Sequence, residues 1–252
     1  GYDNIPISNP KPGPILKNKK KDTLSDIRTA FVHAGFKELM HMPFVSQESF
    51  YKLNPNSWVP AELQNPINEN ESILRGSLFK PLFRAVNSNV KKGHTSIKVF
   101  EAGNVFRKEK RGFLQLMHLS GIIYHHETQL NWSLRKFKYD FFSLKAEILK
   151  LLQTLGMQSI QFQKVNSSMP FNENALDILV HKQKIGVIGE IDLSITEKLI
   201  KKPAFGFEIY PEKILLQSKH PKIKTISKFP LSARDINIVI DNQEPNSSQI
   251  WS

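Results

Sequence analysis

The residues best placed for chemistry lie in one stretch, Val99-Phe100-Glu101-Ala102-Gly103-Asn104-Val105-Phe106-Arg107-Lys108-Glu109. It reads as a strand ending in Phe-Arg-x-Glu. Arg107 offers a planar fork of N–H donors that binds a carboxylate or a phosphate bidentately, which a lysine cannot do. Glu109 is its acidic neighbour two residues on. A charged, solvated turn over 107–112 accounts for the same residues equally well.

Three other constellations carry less. Gly186-Val187-Ile188-Gly189 has the look of a phosphate loop, but it lacks a third glycine and falls inside a hairpin rather than between a strand and a helix. Tight strand packing explains it better. His125-His126-Glu127 offers ligand types for a metal. Adjacent strand residues point to opposite faces, however, and no second pair completes a coordination sphere, so no metal ligand is assigned. Ser, His and Asp all occur, but no Gly-x-Ser-x-Gly turn presents a nucleophile.

The elements that must position these groups follow from periodicity. Pro6, Pro10, Pro12 and Pro14 and the run Lys17, Lys19, Lys20 and Lys21 make residues 1–21 a linker. A helix starts near Asp22 or Thr23, with Leu24, Ile27 and Phe31 as one apolar stripe and Gly35 as its stop. Phe36–Val45 reads as the strand that follows, and 54–70 as a long Asn- and Pro-rich loop. A second helix spans Ser77–Val90 with Leu78, Leu82, Phe83 and Val86 inward. Strands are expected at Ile97–Phe100 and Leu119–Tyr124, flanking the charged connection 107–112. Leu144, Ile148, Leu151, Leu152 and Leu155 mark a third helix that stops at Gly156. Leu176–His181 and Lys184–Ile191 form a hairpin, followed by a short helix at 194–201 and a strand at Phe205–Tyr210. Strands in hairpins between helices imply an α+β fold, an antiparallel sheet with flanking helices.

Composition narrows the class. Among 252 residues, 35 Lys and Arg against 23 Asp and Glu give a net charge of +12, which favours a polyanionic partner such as nucleic acid. Hydrophobic residues at 40% and aromatics at 10% exclude a wholly disordered chain. Cysteine is absent, which excludes a disulfide scaffold, a cysteine-rich zinc site and a catalytic thiol, and fits a reducing compartment. No apolar run approaches the roughly 20 residues that span a bilayer. The first residues read as no secretory signal, and the missing initiator Met suggests a fragment or a processed product. Residues 213–234 hold Lys213, Lys219, Lys222, Lys224, Lys228 and Arg234 and no acid; one strand, 236–240, follows before the end. One strand alone is not a stable domain, so 212–252 is expected to be the start of a truncated module.

A wider resemblance joins these pieces. Gly1-Tyr2-Asp3-Asn4-Ile5-Pro6, Gly35-Phe36-Lys37-Glu38-Leu39 ahead of Phe44-Val45, and Asn65-Pro66 through Ser72-Ile73-Leu74-Arg75-Gly76-Ser77-Leu78 come first. Phe100-Glu101-Ala102-Gly103, Tyr139-Asp140-Phe141-Phe142-Ser143-Leu144-Lys145, Ile185-Gly186-Val187-Ile188-Gly189-Glu190, Ser227-Lys228-Phe229-Pro230 and Arg234-Asp235-Ile236 follow. In order and spacing they resemble the C-terminal half of the bacterial-type phenylalanyl-tRNA synthetase β subunit. Pro43 departs from that pattern, which has a small polar residue there.

The resemblance implies a class II aminoacyl-tRNA synthetase-like core over 22–211, catalytically degenerate, in a non-catalytic subunit of phenylalanine–tRNA ligase. Residues 1–21 would lead from a preceding helix-turn-helix-like domain, and 212–252 would open a ferredoxin-like anticodon-binding domain. It implies an (αβ)2 heterotetramer in which the α subunit carries the aminoacylation site, with tRNA(Phe) as the nucleic-acid partner. ATP and Mg2+ serve the whole enzyme, with none expected on this chain, which alone should be inactive. The setting would be the cytoplasm or an organelle, with no membrane. Gly35, Phe36, Phe44 and Val45 are the candidate subunit contact, and Lys219, Lys222, Lys224, Lys228 and Arg234 the candidate tRNA contacts. Arg107 and Glu109 would be the remnant of a nucleotide site. The stretch Ala204–Pro211, where an active enzyme needs a glycine-rich strand running to an arginine, keeps one glycine and puts Glu208 where a cation is wanted. A carboxylate facing a triphosphate repels it. The alternative is a single-chain organellar-type synthetase, in which Arg107 and Glu109 bind ATP and phenylalanine.

Overall fold

The computed structural model describes residues 2–4, 23–55, 57–125, 139–165, 170–196, 200 and 202–217. The chain divides into two compact units, 1–220 and 221–252, and the second lies outside the described residues.

Helix α1 (Thr23–His33) forms on the expected stripe, with Ile27 and Phe31 fully buried. Gly35, at φ +87°, turns the chain out of it, while the Phe36 N–H donates to the Phe31 carbonyl at 3.1 Å. The expected strand 36–45 is instead two short ones, β1 (Lys37–Glu38) and β2 (Phe44–Val45), in different sheets. Pro43 has no N–H for a ladder, and its carbonyl accepts from the Arg75 backbone at 2.8 Å. Helix α2 (Gln47–Leu53) is capped by Ser46. Within the expected loop lies β3 (Ala61–Glu62), which with β4 (Ile73–Leu74) and β2 makes a small antiparallel sheet ordered β2-β4-β3. Helix α3 (Phe79–Lys91) buries Leu82, Phe83 and Val86 as expected, with Leu78 buried just ahead of it.

The two strands expected at 97–100 and 119–124 are the inner ends of a much longer hairpin, β5 (Ser96–Glu109) and β6 (Gly112–His125), in register from Ser96↔His125 to Glu109↔Gly112. Its outer half is largely half-buried, with Val105 the buried apolar residue there and the charges gathered at the turn end, residues 107–111, so no regular apolar alternation announces a strand. Helix α4 (Phe141–Thr154) starts on a reciprocal cap between Asp140 and Ser143 and ends before Gly156 at φ +88°. Strand β7 (Ile160–Lys164) precedes the hairpin of β8 (Leu176–Val180) and β9 (Gln183–Glu190), which turns on His181 and Lys182, both at positive φ. Of the short helix expected at 194–201, the described residues 193–196 form a turn, and 197–199 and 201 lie outside the described residues. Strand β10 (Phe205–Ile209) and helix α5 (Pro211–Gln217) complete the described chain, and Ile214 packs into the main core.

The main sheet has seven strands ordered β1-β5-β6-β10-β9-β8-β7, antiparallel except for the β1–β5 pair. Strand alternation sends successive residues to opposite faces. On one face Phe31, Phe36, Phe100 and Phe207 meet ring to ring at centroid distances of 5.2–6.4 Å, beside Leu144, Ile148 and Leu152 of α4. On the other, Leu82, Phe83 and Val86 of α3 pack on Val99, Ile122, Phe171 and Val187. The result is an α+β fold with helices on both faces of a largely antiparallel sheet.

Candidate functional site

The face that carries α3 also holds a polar row. The register sets Glu101 of β5 opposite Ser120 of β6, and Ser120 opposite Glu208 of β10. His118 lies two residues along β6 on the same face, opposite Gly103. The Ser120 hydroxyl donates to the Glu208 carboxylate at 3.2 Å, and His118 Nδ1 stands 3.4 Å from the same oxygen.

One end of the row is closed. Arg75 Nη1 donates to Glu101 Oε1 at 2.6 Å, and Nε donates to the Asn104 carbonyl at 3.0 Å. His41 Nδ1 lies 2.6 Å from Glu101 Oε2. Both partners of the ion pair are buried, their side chains 6% and 2% exposed. Burial pushes the Glu101 carboxyl up; the hydrogen bond from His41 and the Arg75 charge outweigh it and hold the group below the usual carboxylate range. Gly103 lets the Arg75 guanidinium lie against the strand, where a Cβ would strike it.

The other end opens into a cleft of about 590 Å3 whose lining includes Asn54, Trp58, Ser77, His118, Glu208 and Tyr210. No arginine is among the described residues that line it. Its two lysines are engaged: Lys184 pairs with Asp177 at 2.5 Å, and Lys213 donates to the Lys184 carbonyl at 2.9 Å while standing over the Tyr210 ring. Burial raises the Tyr210 hydroxyl pKa, with Glu208 and Asp177 adding to it. Glu208 thus stands on the wall of the cleft, and this donor set does not fit a nucleoside triphosphate. Among the described residues no group of three or more His, Cys, Asp or Glu is gathered for a metal, and no helix is long and apolar enough to cross a membrane.

The sequence-derived candidates fall as follows. Arg107 lies on the same face as Glu101, but its guanidinium is held by Glu109 at 2.8 Å and stacks on Trp58 at 5.0 Å. Gly35 ends α1, Phe36 and Val45 are core residues, and Phe44 is half-buried. The exposed apolar side chains of that segment are instead Met40 and Met42, 88% and 70% exposed. Lys219, Lys222, Lys224, Lys228 and Arg234 lie outside the described residues, as do His126 and Glu127. Gly186 and Gly189 pack tightly in β9; a Cβ at Gly186 would come within 2.5 Å of the Glu208 carbonyl, and one at Gly189 would strike Phe171. Sequence reasoning missed Arg75, His118 and Trp58 as site residues. Arg75 and Glu101 stand in separate stretches, and no local spacing links them. The alternation of His118 with Ser120 was a signal for one polar face.

Comparison with known proteins agrees with this architecture. The family model described as the phenylalanyl tRNA synthetase beta chain CLM domain matches residues 5–210. Curated relatives include the phenylalanine–tRNA ligase beta subunits of Wigglesworthia glossinidia brevipalpis, 31% identical over 97% of this chain and 31% of the relative, and of Photorhabdus laumondii, 30% identical over 95% and 31%. The chain therefore spans about a third of the length of these relatives. Among solved structures, pyrrolysyl-tRNA synthetase from Desulfitobacterium hafniense shares the fold, with a TM-score of 0.59, 15% identity, and coverage of 77% of this chain and 67% of that one. These relatives are named as β subunits. On the strength of the match over residues 5–210, the chain belongs to the phenylalanyl-tRNA synthetase β-chain family, whose CLM domain it carries.

Proposed function

We propose that this chain acts as a non-catalytic β-subunit portion of phenylalanine–tRNA ligase, supporting an α subunit that charges tRNA(Phe) in an (αβ)2 assembly. The observation that carries the reading is the cleft: it presents Glu208, lines no described arginine, and leaves Arg107 bound to Glu109 and Trp58. An anionic triphosphate would meet a carboxylate there without a guanidinium to offset it. ATP and Mg2+ are in this reading used by the whole enzyme and held by the α subunit.

Residues 212–252 are read as the opening of a ferredoxin-like anticodon-binding domain, and 1–21 as the lead from a preceding domain. The five basic residues Lys219, Lys222, Lys224, Lys228 and Arg234 add positive charge along the tRNA path. The α-subunit contact proposed for 35–45 falls to Met40 and Met42, because Phe36 and Val45 are committed to the core. The setting is the cytoplasm or an organelle.

Coexpression with an α subunit, followed by mass measurement of the purified complex, tests this. A stable (αβ)2 mass is expected. Recovery of the two polypeptides as separate species would contradict the proposal.

A further inference from the structure

The β5–β6 hairpin ends in an exposed tip, residues 108–113, beyond Val105, the last buried side chain of β5. Register places three side chains in a row across it. Lys108 pairs with Phe113 of β6 on one side. On the other it bridges Val59, whose carbonyl accepts from the Lys108 N–H at 2.8 Å. Directly opposed residues of neighbouring antiparallel strands point to the same face, about 5 Å apart. Lys108 therefore stands between two apolar side chains that both face solvent, Phe113 at 67% and Val59 at 52% exposure.

Charge at the tip is one-sided. Its acid, Glu109, is bound to Arg107 at 2.8 Å on the opposite face of the hairpin. Lys108, Lys110 and Arg111 are exposed, and among the described residues no ion pair holds them. Exposed apolar residues scattered singly are ordinary on a protein surface. A ring and a valine set on either side of a lysine, with two more cations at the turn, form a patch of mixed chemistry.

That mixture fits an unpaired nucleic-acid strand. Its bases have free faces that stack on an exposed aromatic ring, and lysine and arginine neutralise the phosphates beside the stacked base. In a duplex the base faces are already stacked on one another, and a ring at a hairpin tip finds none open. An anionic membrane would meet the same charges. Sinking Phe113 and Val59 into its apolar layer, however, would draw the Lys108 ammonium between them out of water.

We propose that the hairpin tip is a contact for single-stranded RNA, in which Phe113 stacks on a base and Lys108, Lys110 and Arg111 neutralise neighbouring phosphates. The contact needs no α subunit and none of the basic residues after 217, so it stands or falls separately from the subunit proposal.

Fluorescence anisotropy on the purified full chain tests it with three labelled probes: an oligouridylate of about 12 nucleotides, an abasic strand with the same number of phosphates, and an RNA duplex of the same length. The oligouridylate should bind about tenfold tighter than the abasic strand. Phe113→Ala should remove that advantage while leaving duplex binding and the melting temperature unchanged. Replacing Lys108, Lys110 and Arg111 together by Ala should flatten the slope of log K against log[salt] for the oligouridylate by about two. The comparison of the two single strands on the unaltered chain decides the matter even without the variants. Equal binding of those strands, an advantage that survives Phe113→Ala, or a slope untouched by the triple replacement would each overturn the proposal. So would cosedimentation with phosphatidylserine vesicles that depends on Phe113 in the absence of any base-dependent RNA affinity, which would assign the tip to a membrane.

Discussion

Arg75 and Glu101 form an ion pair at 2.6 Å in the interior of the fold, tying the segment that carries β4 to strand β5 of the main sheet. Removing one member of a buried pair leaves the other charge without compensation. Arg75→Met should therefore lower unfolding stability by about 3–5 kcal/mol, measured by urea denaturation. Replacing both residues together, as Arg75→Met with Glu101→Leu, should recover a large part of that loss. A single replacement with no cost would mean the pair is solvated.

The same carboxylate gives the stability a pH dependence. Glu101 titrates below its ordinary value in the folded chain, despite burial, because His41 and Arg75 favour its charged form. A depressed folded pKa adds stability that is present above the unfolded value, about pH 4, and is lost as pH falls through the folded value. Thermal melts between pH 7 and pH 2 should show a shallower acid limb in Glu101→Gln than in the unaltered chain. Parallel limbs would remove Glu101 from the account.

Met40 and Met42 separate surface from core within one short segment. Met40→Lys with Met42→Lys should weaken copurification with the α subunit while leaving the melting temperature nearly unchanged. Phe36→Ala should instead cost about 3–5 kcal/mol of stability, since its ring touches Phe31, Phe100 and Phe207. If the double lysine variant retains full copurification, the subunit contact lies elsewhere.

Lys219, Lys222 and Lys224 test the tRNA path. Their joint replacement by Glu in the assembled enzyme should raise the KM for tRNA several-fold and steepen no step of amino-acid activation. Unchanged tRNA kinetics would make the basic run a solvated linker.

Much of this fold is written locally. The stripes of α1, α3 and α4 and the stops at Gly35 and Gly156 are visible because burial and left-handed turns each demand particular residue types at fixed spacing. The outer half of the β5–β6 hairpin is not, because its residues show no regular buried alternation and its strand character comes from pairing across the turn. Pro43 shows the reverse: the residue was visible, but its effect, sending β1 and β2 to different sheets, depends on partners far along the chain. The site follows the same division. Glu208 was legible as an acid in the wrong place for a triphosphate. His118 and Arg75 acquire their roles only when strand register brings them to one face.

Phenylalanine-dependent ATP–pyrophosphate exchange measures the central claim most directly. With Arg107→Ala placed in this chain and the α subunit unaltered, the assembled enzyme should exchange at within about twofold of the unaltered rate, and the chain alone should not exchange. Exchange by the isolated chain, abolished by Arg107→Ala, would contradict the account.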